Sequence, residues 1–270
     1  MFAIQADVAE LVDARVSEAR GREAVMVRFH SSAPKKVASR RVLNRESRNW
    51  LLIFLFAFSA DLHETPYVHK EFVQAIRSNQ QAFGLDLSDQ AIGRLADYYD
   101  LVVQRNPLLH LVGPCSPEEF AIRHILESLE LLEYLPEGAR FADIGAGAGL
   151  PSIPCLLVRE DLRGVLIESK KKKSSYLQNV LSKFTFGDRV EVIDRQFSEV
   201  VRPDVDAVTC RALDKFTQKL PPLIKWSADC KLLFFGGPNL QSALNSVGVI
   251  VTPKLIPMSE NRFLFIRERK

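Results

Sequence analysis

Phe141-Ala142-Asp143-Ile144-Gly145-Ala146-Gly147-Ala148-Gly149-Leu150-Pro151 decides how the rest of the chain is read. Four residues suited to a buried parallel strand run into a loop with glycine at every second position, and a helix-compatible segment follows. Glycines there let backbone approach a ligand with no Cβ in the way, and the next helix start aims its unpaired N–H groups at it. A purely structural tight turn is the alternative. A dinucleotide fingerprint, Gly-x-Gly-x-x-Gly, would put its third glycine at position 150, which is leucine.

Asp143 followed by Gly145-x-Gly147-x-Gly149 instead matches the first motif of S-adenosylmethionine-dependent methyltransferases. Val165-Leu166-Ile167-Glu168 reads as the next strand, with an acid at its end about 20 residues on, where a carboxylate accepts hydrogen bonds from both ribose hydroxyls. Gly145, Gly147 and Glu168 are therefore expected to bind the cofactor S-adenosyl-L-methionine.

Working outward, βαβ alternation continues to the C-terminus. Helices are expected over Pro151 to Val158 and Ser174 to Phe184, and strands over Gly164–Glu168, Val190–Ile193, Ala207–Cys210 and Leu232–Phe235. Pro253–Pro257 and Arg262–Arg267 would close the sheet with antiparallel strands. This is an α/β, doubly wound Rossmann-like sheet with its ligand side at the strand C-termini. Upstream, Phe72, Ile76, Phe83 and Leu85 lead into Ser88, an N-cap type, and Ile92, Leu95, Tyr98, Tyr99 and Val102 recur at helical spacing. Asn106-Pro107 is expected to end that second helix, because the residue before proline is pushed out of the helical region. A third helix is expected from about Glu118 to Leu132, carrying Arg123 and His124. A histidine there is most often structural, though Arg123 beside it allows a polar patch.

Composition narrows the class. In 270 residues, 47% hydrophobic content supports a real core, and 36 Lys+Arg against 33 Asp+Glu do not announce a nucleic-acid binder, so only local clusters could serve. Cys115, Cys155, Cys210 and Cys230 are widely spaced, without Cys-x-x-Cys or a His/Cys ligand pattern, so a reducing compartment and no metal are expected. Cys210 at a strand end could be a nucleophile, but a small apolar residue packing beside the cofactor explains it better. The first twenty residues lack a signal-peptide apolar core, and the apolar run Trp50 to Phe58 is too short to cross ~30 Å of hydrocarbon. A cytoplasmic, monomeric protein with no membrane span follows as the expectation.

Residues 1–65 have a different texture, with a basic run of Lys35, Lys36, Arg40, Arg41, Arg45 and Arg48 that suits either an RNA-binding arm or a solvated tail. Val8-Ala9-Glu10-Leu11-Val12 and Gly21-Arg22-Glu23-Ala24-Val25 through Val27-Arg28-Phe29 resemble the peptide obtained when a transfer-RNA gene is read as coding sequence. On that reading residues 1–65 are a poorly ordered, dispensable extension, with translation starting from a non-AUG codon at Leu62 or Val68. Residues 66–135 then form N-terminal helices and 136–270 the methyltransferase domain.

Four stretches carry a family resemblance: Arg123-His124-Ile125-Leu126-Glu127-Ser128, Asp143 through Pro154 with Gly149-Leu150-Pro151-Ser152-Ile153-Pro154, Glu168-Ser169-Lys170-Lys171-Lys172, and Arg211-Ala212. Their order and spacing over residues 70 to 269 resemble the bacterial 16S ribosomal RNA guanine-N7 methyltransferase family, GidB or RsmG. The resemblance implies a class I S-adenosylmethionine methyltransferase fold and methyl transfer to guanine N7 in 16S rRNA of the small ribosomal subunit. It further implies cofactor contacts at Gly145, Leu150, Gln196, Phe197 and Arg211. Arg211 is also expected to be the catalytic side chain, because it follows the fourth strand, which ends beside the reactive part of the ligand, and its guanidinium can fix cofactor or phosphate by a forked pair of hydrogen bonds. Lys170 to Lys173 would hold RNA phosphates rather than form a merely solvated helix start. The chain departs from the family pattern at His110-Leu111-Val112, at Gln196-Phe197 and at Gly236-Gly237, where the family usually has a lysine before the second glycine. A cofactor- and RNA-binding ribosome-assembly factor without turnover is the alternative those departures leave open. A nicotinamide dehydrogenase is a third, disfavoured by Leu150.

Overall fold

The computed structural model describes residues 65–211 and 216–269. The expectations for the extension, for the run Trp50 to Phe58 and for Ala212 lie outside the described residues. Seven strands form one sheet: β1 (Arg140–Ile144), β2 (Arg163–Ile167), β3 (Val190–Ile193), β4 (Ala207–Arg211), β5 (Lys231–Gly236), β6 (Thr252–Leu255) and β7 (Phe263–Arg267). Their order is β3-β2-β1-β4-β5-β7-β6. The first five are parallel, with Phe141 opposite both Gly164 and Ala207, and β7 inserts antiparallel between β5 and β6. Strand order reverses between β1 and β4, which opens a crevice at their carboxyl ends.

Burial on both faces explains the nearly continuous apolar runs of β1, β2, β4 and β5. Side chains alternate between two cores. Phe141, Leu166, Leu233 and Phe235 face one, while Ala142, Ile144, Val165, Ile167, Val208, Cys210, Leu232 and Phe234 face the other. Cys210 is thus a core residue. Helices α1 (Thr65–Asn79), α2 (Asp89–Leu109), α4 (Ser152–Val158) and α5 (Lys171–Lys183) cover the first face. The second face is covered by α6 (Phe216–Ser227) and α7 (Pro238–Ser246).

α1, α2 and the helical segment Pro117–Phe120 meet in an aromatic cluster: Phe72 stacks on Tyr99 at 4.5 Å between centroids, and Phe120 tilts against both. Ser88 caps α2 by accepting from the Ala91 N–H at 3.2 Å. The second helix does not stop at Asn106: it runs through Pro107 to Leu109. Proline removes only the hydrogen bond to Val103, a residue 44% exposed whose carbonyl water can serve. Asn106 then shapes the exit. Its carbonyl accepts from His110 N–H, and its side-chain oxygen accepts from Leu111 and Val112 N–H at 2.8 and 3.0 Å.

The third helical run, α3, is irregular. It starts as Pro117–Phe120 with a Ser116–Glu119 capping box, widens to a π-helix over Ala121–Leu126, and ends through Glu127–Leu129 and a 3-10 turn at Glu130–Tyr134. Among the described residues no helix is long and apolar enough to cross a membrane, and no group of three or more His, Cys, Asp or Glu is placed to hold a metal ion.

Candidate functional site

The glycine loop folds back over the end of β2. Gly145 and Ala146 N–H both donate to the Ile167 carbonyl, at 2.8 and 3.3 Å, and Gly149 N–H donates to Ala146 O. Gly145, Gly147 and Gly149 take φ of 74°, 56° and 94°, so the alternate spacing encodes three left-handed residues. Gly149 has a second reason: a Cβ there would lie 2.5 Å from Ile153 Cγ1 on α4. From outside the loop, the buried Tyr98 hydroxyl of α2 donates to Ala148 O at 2.8 Å.

Glu168 follows β2 directly and is 5% exposed. One carboxylate oxygen accepts from Gly147 N–H at 2.9 Å and the other from Lys170 N–H at 2.7 Å. Each oxygen keeps a lone pair, so the carboxylate, already oriented by the loop, suits a pair of vicinal hydroxyls.

Beneath the loop, Asp143 accepts from Ser152 Oγ at 2.6 Å, while its other oxygen has no partner among the described residues. Burial pushes its carboxyl up to about 7, opposed by the Ser152 hydrogen bond and reinforced by the charge of Glu168. Between about pH 4 and pH 7 the folded chain therefore keeps a proton that the unfolded chain releases, and this group's contribution to stability falls as pH rises through that window. The difference in unfolding free energy between the wild type and Asp143→Asn should fall from pH 5 to pH 8, at most about 1.4 kcal/mol per pH unit. Parallel denaturation curves for the two across that range would show that Asp143 does not titrate there.

A cavity of about 320 Å³ opens at the ends of β1, β2 and β4. Gly145, Gly147, Leu150, Glu168 and Arg211 all line it, together with His124, Lys170, Lys173 and Lys219. Gln196 and Phe197 line a smaller recess that shares Gly145, Ser169 and Lys219 with it. The Phe197 ring packs edge-on against Trp226 in the second core, 6.1 Å between centroids. The structure thus brings the sequence-derived candidates to one edge of the sheet.

Two details differ from the sequence expectation. Lys171 to Lys173 form the first turn of α5 rather than precede it, and Lys173 Nζ reaches the His110 carbonyl at 3.3 Å. The Arg211 guanidinium is engaged with α3: Nη2 donates to Arg123 O and to Glu127 Oε2 at 3.0 Å, and Nη1 lies 3.4 Å from Ser128 Oγ. Burial lowers its pKa below the ordinary arginine value, with Glu127 acting in the opposite sense. His124 stands edge-on to Phe120, its Nδ1 buried without a hydrogen-bond partner among the described residues. Burial, then the charges of Arg211, Arg123 and Arg262, hold its imidazole down to about 3. It is a neutral ring at physiological pH.

Sequence reading gave no role at the site to Tyr98, Asn106, Lys219, Glu127 as an individual residue, or Arg262. Of these only Glu127 carried a local signal, an acid directly after the apolar pair Ile125-Leu126. The departure at Gly236 has a packing reason: a Cβ there would sit 2.5 Å from Leu240 Cδ2 and 2.9 Å from Leu240 Cβ. Glycine at 236 and leucine at 240 are fitted to each other.

A family model described as rRNA small subunit methyltransferase G (GidB) matches residues 91–230, which include most of α2, the glycine loop, Glu168 and Arg211. The ribosomal RNA small subunit methyltransferase G of Acinetobacter baylyi is 33% identical over 144 residues, covering 52% of this chain and 68% of its own length. The protein of the same name from Sorangium cellulosum is 35% identical over 147 residues, covering 52% and 61%. That of Neisseria meningitidis serogroup A is 30% identical over 155 residues, covering 57% and 72%. With more than half its length inside the family match and the loop, acid and arginine of that match gathered around one cavity, the chain belongs to the rRNA small subunit methyltransferase G (GidB) family.

Proposed function

We propose that this protein transfers the methyl group of S-adenosyl-L-methionine to guanine N7 in 16S rRNA of the small ribosomal subunit, acting as a cytoplasmic monomer. The observation that carries the cofactor reading is Glu168, a carboxylate held by the Gly147 and Lys170 amides with one lone pair per oxygen left for a ribose diol. The loop's left-handed glycines keep Cβ atoms out of that approach, and Leu150 removes the spacing a dinucleotide would need. When bound, the cofactor supplies an electrophilic methyl on a sulfonium.

Guanine N7 attacks with a lone pair and has no proton to lose, so the chain's task is alignment and exclusion of water rather than base catalysis. The neutral His124 fits that division of labour, since a cation in its place would repel a cationic donor. Lys170, Lys173 and Lys219 at the cavity supply cations suited to RNA phosphates. Membership in the family supports the substrate class, and N7 is the finer reading taken from the motifs.

The test is to map 7-methylguanosine in small-subunit rRNA from cells with and without the gene, alongside methyl transfer by the purified protein. One 7-methylguanosine should vanish with the gene and return on treatment with protein and S-adenosylmethionine. An unchanged modification map would refute the reading, and cofactor and RNA binding without transfer would favour a non-catalytic assembly factor.

A further inference from the structure

Glu127 is 1% exposed, on the α-turn that follows the π-helical segment of α3. Each of its carboxylate oxygens meets a different arginine. Oε2 takes Arg211 Nη2 at 3.0 Å and Oε1 takes Arg262 Nε at 2.6 Å. Arg262 comes from the far end of the sequence, where Ile256 N–H to Arg262 O and Arg262 N–H to Ser259 Oγ, both 2.9 Å, fix the turn between β6 and β7. Arg211 is the member of this triad that lines the cavity, and its guanidinium carbon sits 5.4 Å from the centre of the Phe235 ring.

Burying charge is costly, and buried ion-pair triads can often be replaced by apolar side chains with no loss of stability. Stability alone therefore does not account for Glu127. Two consequences for the cavity do. The carboxylate and the Arg123 carbonyl together hold both N–H groups of Arg211 Nη2, which fixes the guanidinium plane. The carboxylate also offsets a guanidinium positive charge in a site that has to accept a cationic donor.

We infer that Glu127, bridging Arg211 and Arg262, is a positioning residue of the methyl-transfer site, orienting the Arg211 guanidinium and cancelling its charge so that the cavity admits a sulfonium. This rests on the proposed S-adenosylmethionine-dependent function. Arg262 divides the same carboxylate's charge, so the turn before β7 sets how much of it reaches the cavity.

The charge role has a signature that damaged packing lacks. S-adenosylmethionine is cationic at sulfur and S-adenosylhomocysteine is not. Glu127→Gln, which keeps size and removes charge, should raise the ratio of the two dissociation constants, S-adenosylmethionine over S-adenosylhomocysteine, by about tenfold, the scale of one unit charge acting over roughly 10 Å at an effective dielectric constant of about 20. Arg262→Met, which leaves Glu127 to Arg211 alone, should lower that ratio. Both variants should also lose turnover, Glu127→Gln by about a hundredfold, as expected for a guanidinium displaced by ~1 Å, with KM for RNA little changed.

Calorimetry with both ligands on the full chain, beside methyl transfer to small-subunit rRNA, tests this. Equal weakening of both ligands, or shifts of the ratio in the same direction in the two variants, overturns the inference, as does wild-type turnover in Glu127→Gln. If Glu127→Gln does not fold, a ratio unchanged or raised in Arg262→Met overturns it. Should the wild type methylate no rRNA, the proposed function fails, while the ligand ratios still decide the role of Glu127.

Discussion

Gly145→Val is expected to abolish S-adenosylmethionine binding while leaving a folded chain. Gly145 sits at φ 74°, where the strand order reverses, with its N–H tied to Ile167 O at 2.8 Å. A β-branched residue is strained there by ~1–3 kcal/mol, so the loop would either carry that strain or leave its position over β2. Its side chain would also stand on a wall of the 320 Å³ cavity, where the ligand needs bare backbone. Calorimetry decides: wild type should bind S-adenosylmethionine and not NAD, and Gly145→Val, shown to be folded by circular dichroism, should bind neither. A variant affinity within threefold of wild type would dismiss the loop as the cofactor turn, as would comparable NAD affinity in the wild type.

The second large effect is expected at Arg211. Arg211→Ala should lower methyl transfer by about a hundredfold, and Arg211→Lys nearly as much. The geometry explains why charge alone is insufficient. One terminal nitrogen bridges Arg123 O and Glu127 Oε2 while the other approaches Ser128 Oγ, and a single ammonium cannot reproduce that planar span. Removing Arg211 also leaves the buried Glu127 with Arg262 as its remaining ion pair, so the variants should be less stable and are best assayed well below their unfolding temperature. Because Arg211 is one of the charges holding the His124 imidazole down to about 3, the wild-type rate should show no neutral-range ionisation from that ring. Near-wild-type turnover in Arg211→Ala, or a basic limb that disappears on mutating His124, would reject an alignment mechanism centred on Arg211.

Much of this architecture was legible because it is local or periodic. β1, β2, β4 and β5 announced themselves as apolar runs, the loop by three alternate glycines, and Glu168 by its distance from them. Errors arose where one local rule met another. Pro107 suggested a helix end, yet α2 needed only a water-accessible Val103 carbonyl to continue, and Asn106 provided the true terminus through its side chain. The helix was expected to begin at Ser174, but the last three lysines of the run join α5 because straight-chain residues suit a helix. What remained unreadable was long-range. Tyr98 meets Ala148 across 50 positions, and Arg262 meets Glu127 across 135; no period or spacing links such partners. At Gly236, where the family usually has a lysine, the fit against Leu240 is a tertiary contact that the sequence does not display.

The Tyr98 hydroxyl couples the glycine loop to a helix that precedes the sheet. A loop built from left-handed glycines has little rigidity of its own, since glycine loses the most conformational freedom on ordering. Its order is underwritten by α2, which is in turn clamped by the Phe72, Tyr99 and Phe120 rings. Opening of α2 therefore releases a tether of the loop. A ligand that binds only the closed loop is expected to slow amide exchange along α2 by a factor of one plus the free ligand concentration over Kd wherever exchange runs through that opening, although it touches none of that helix's backbone.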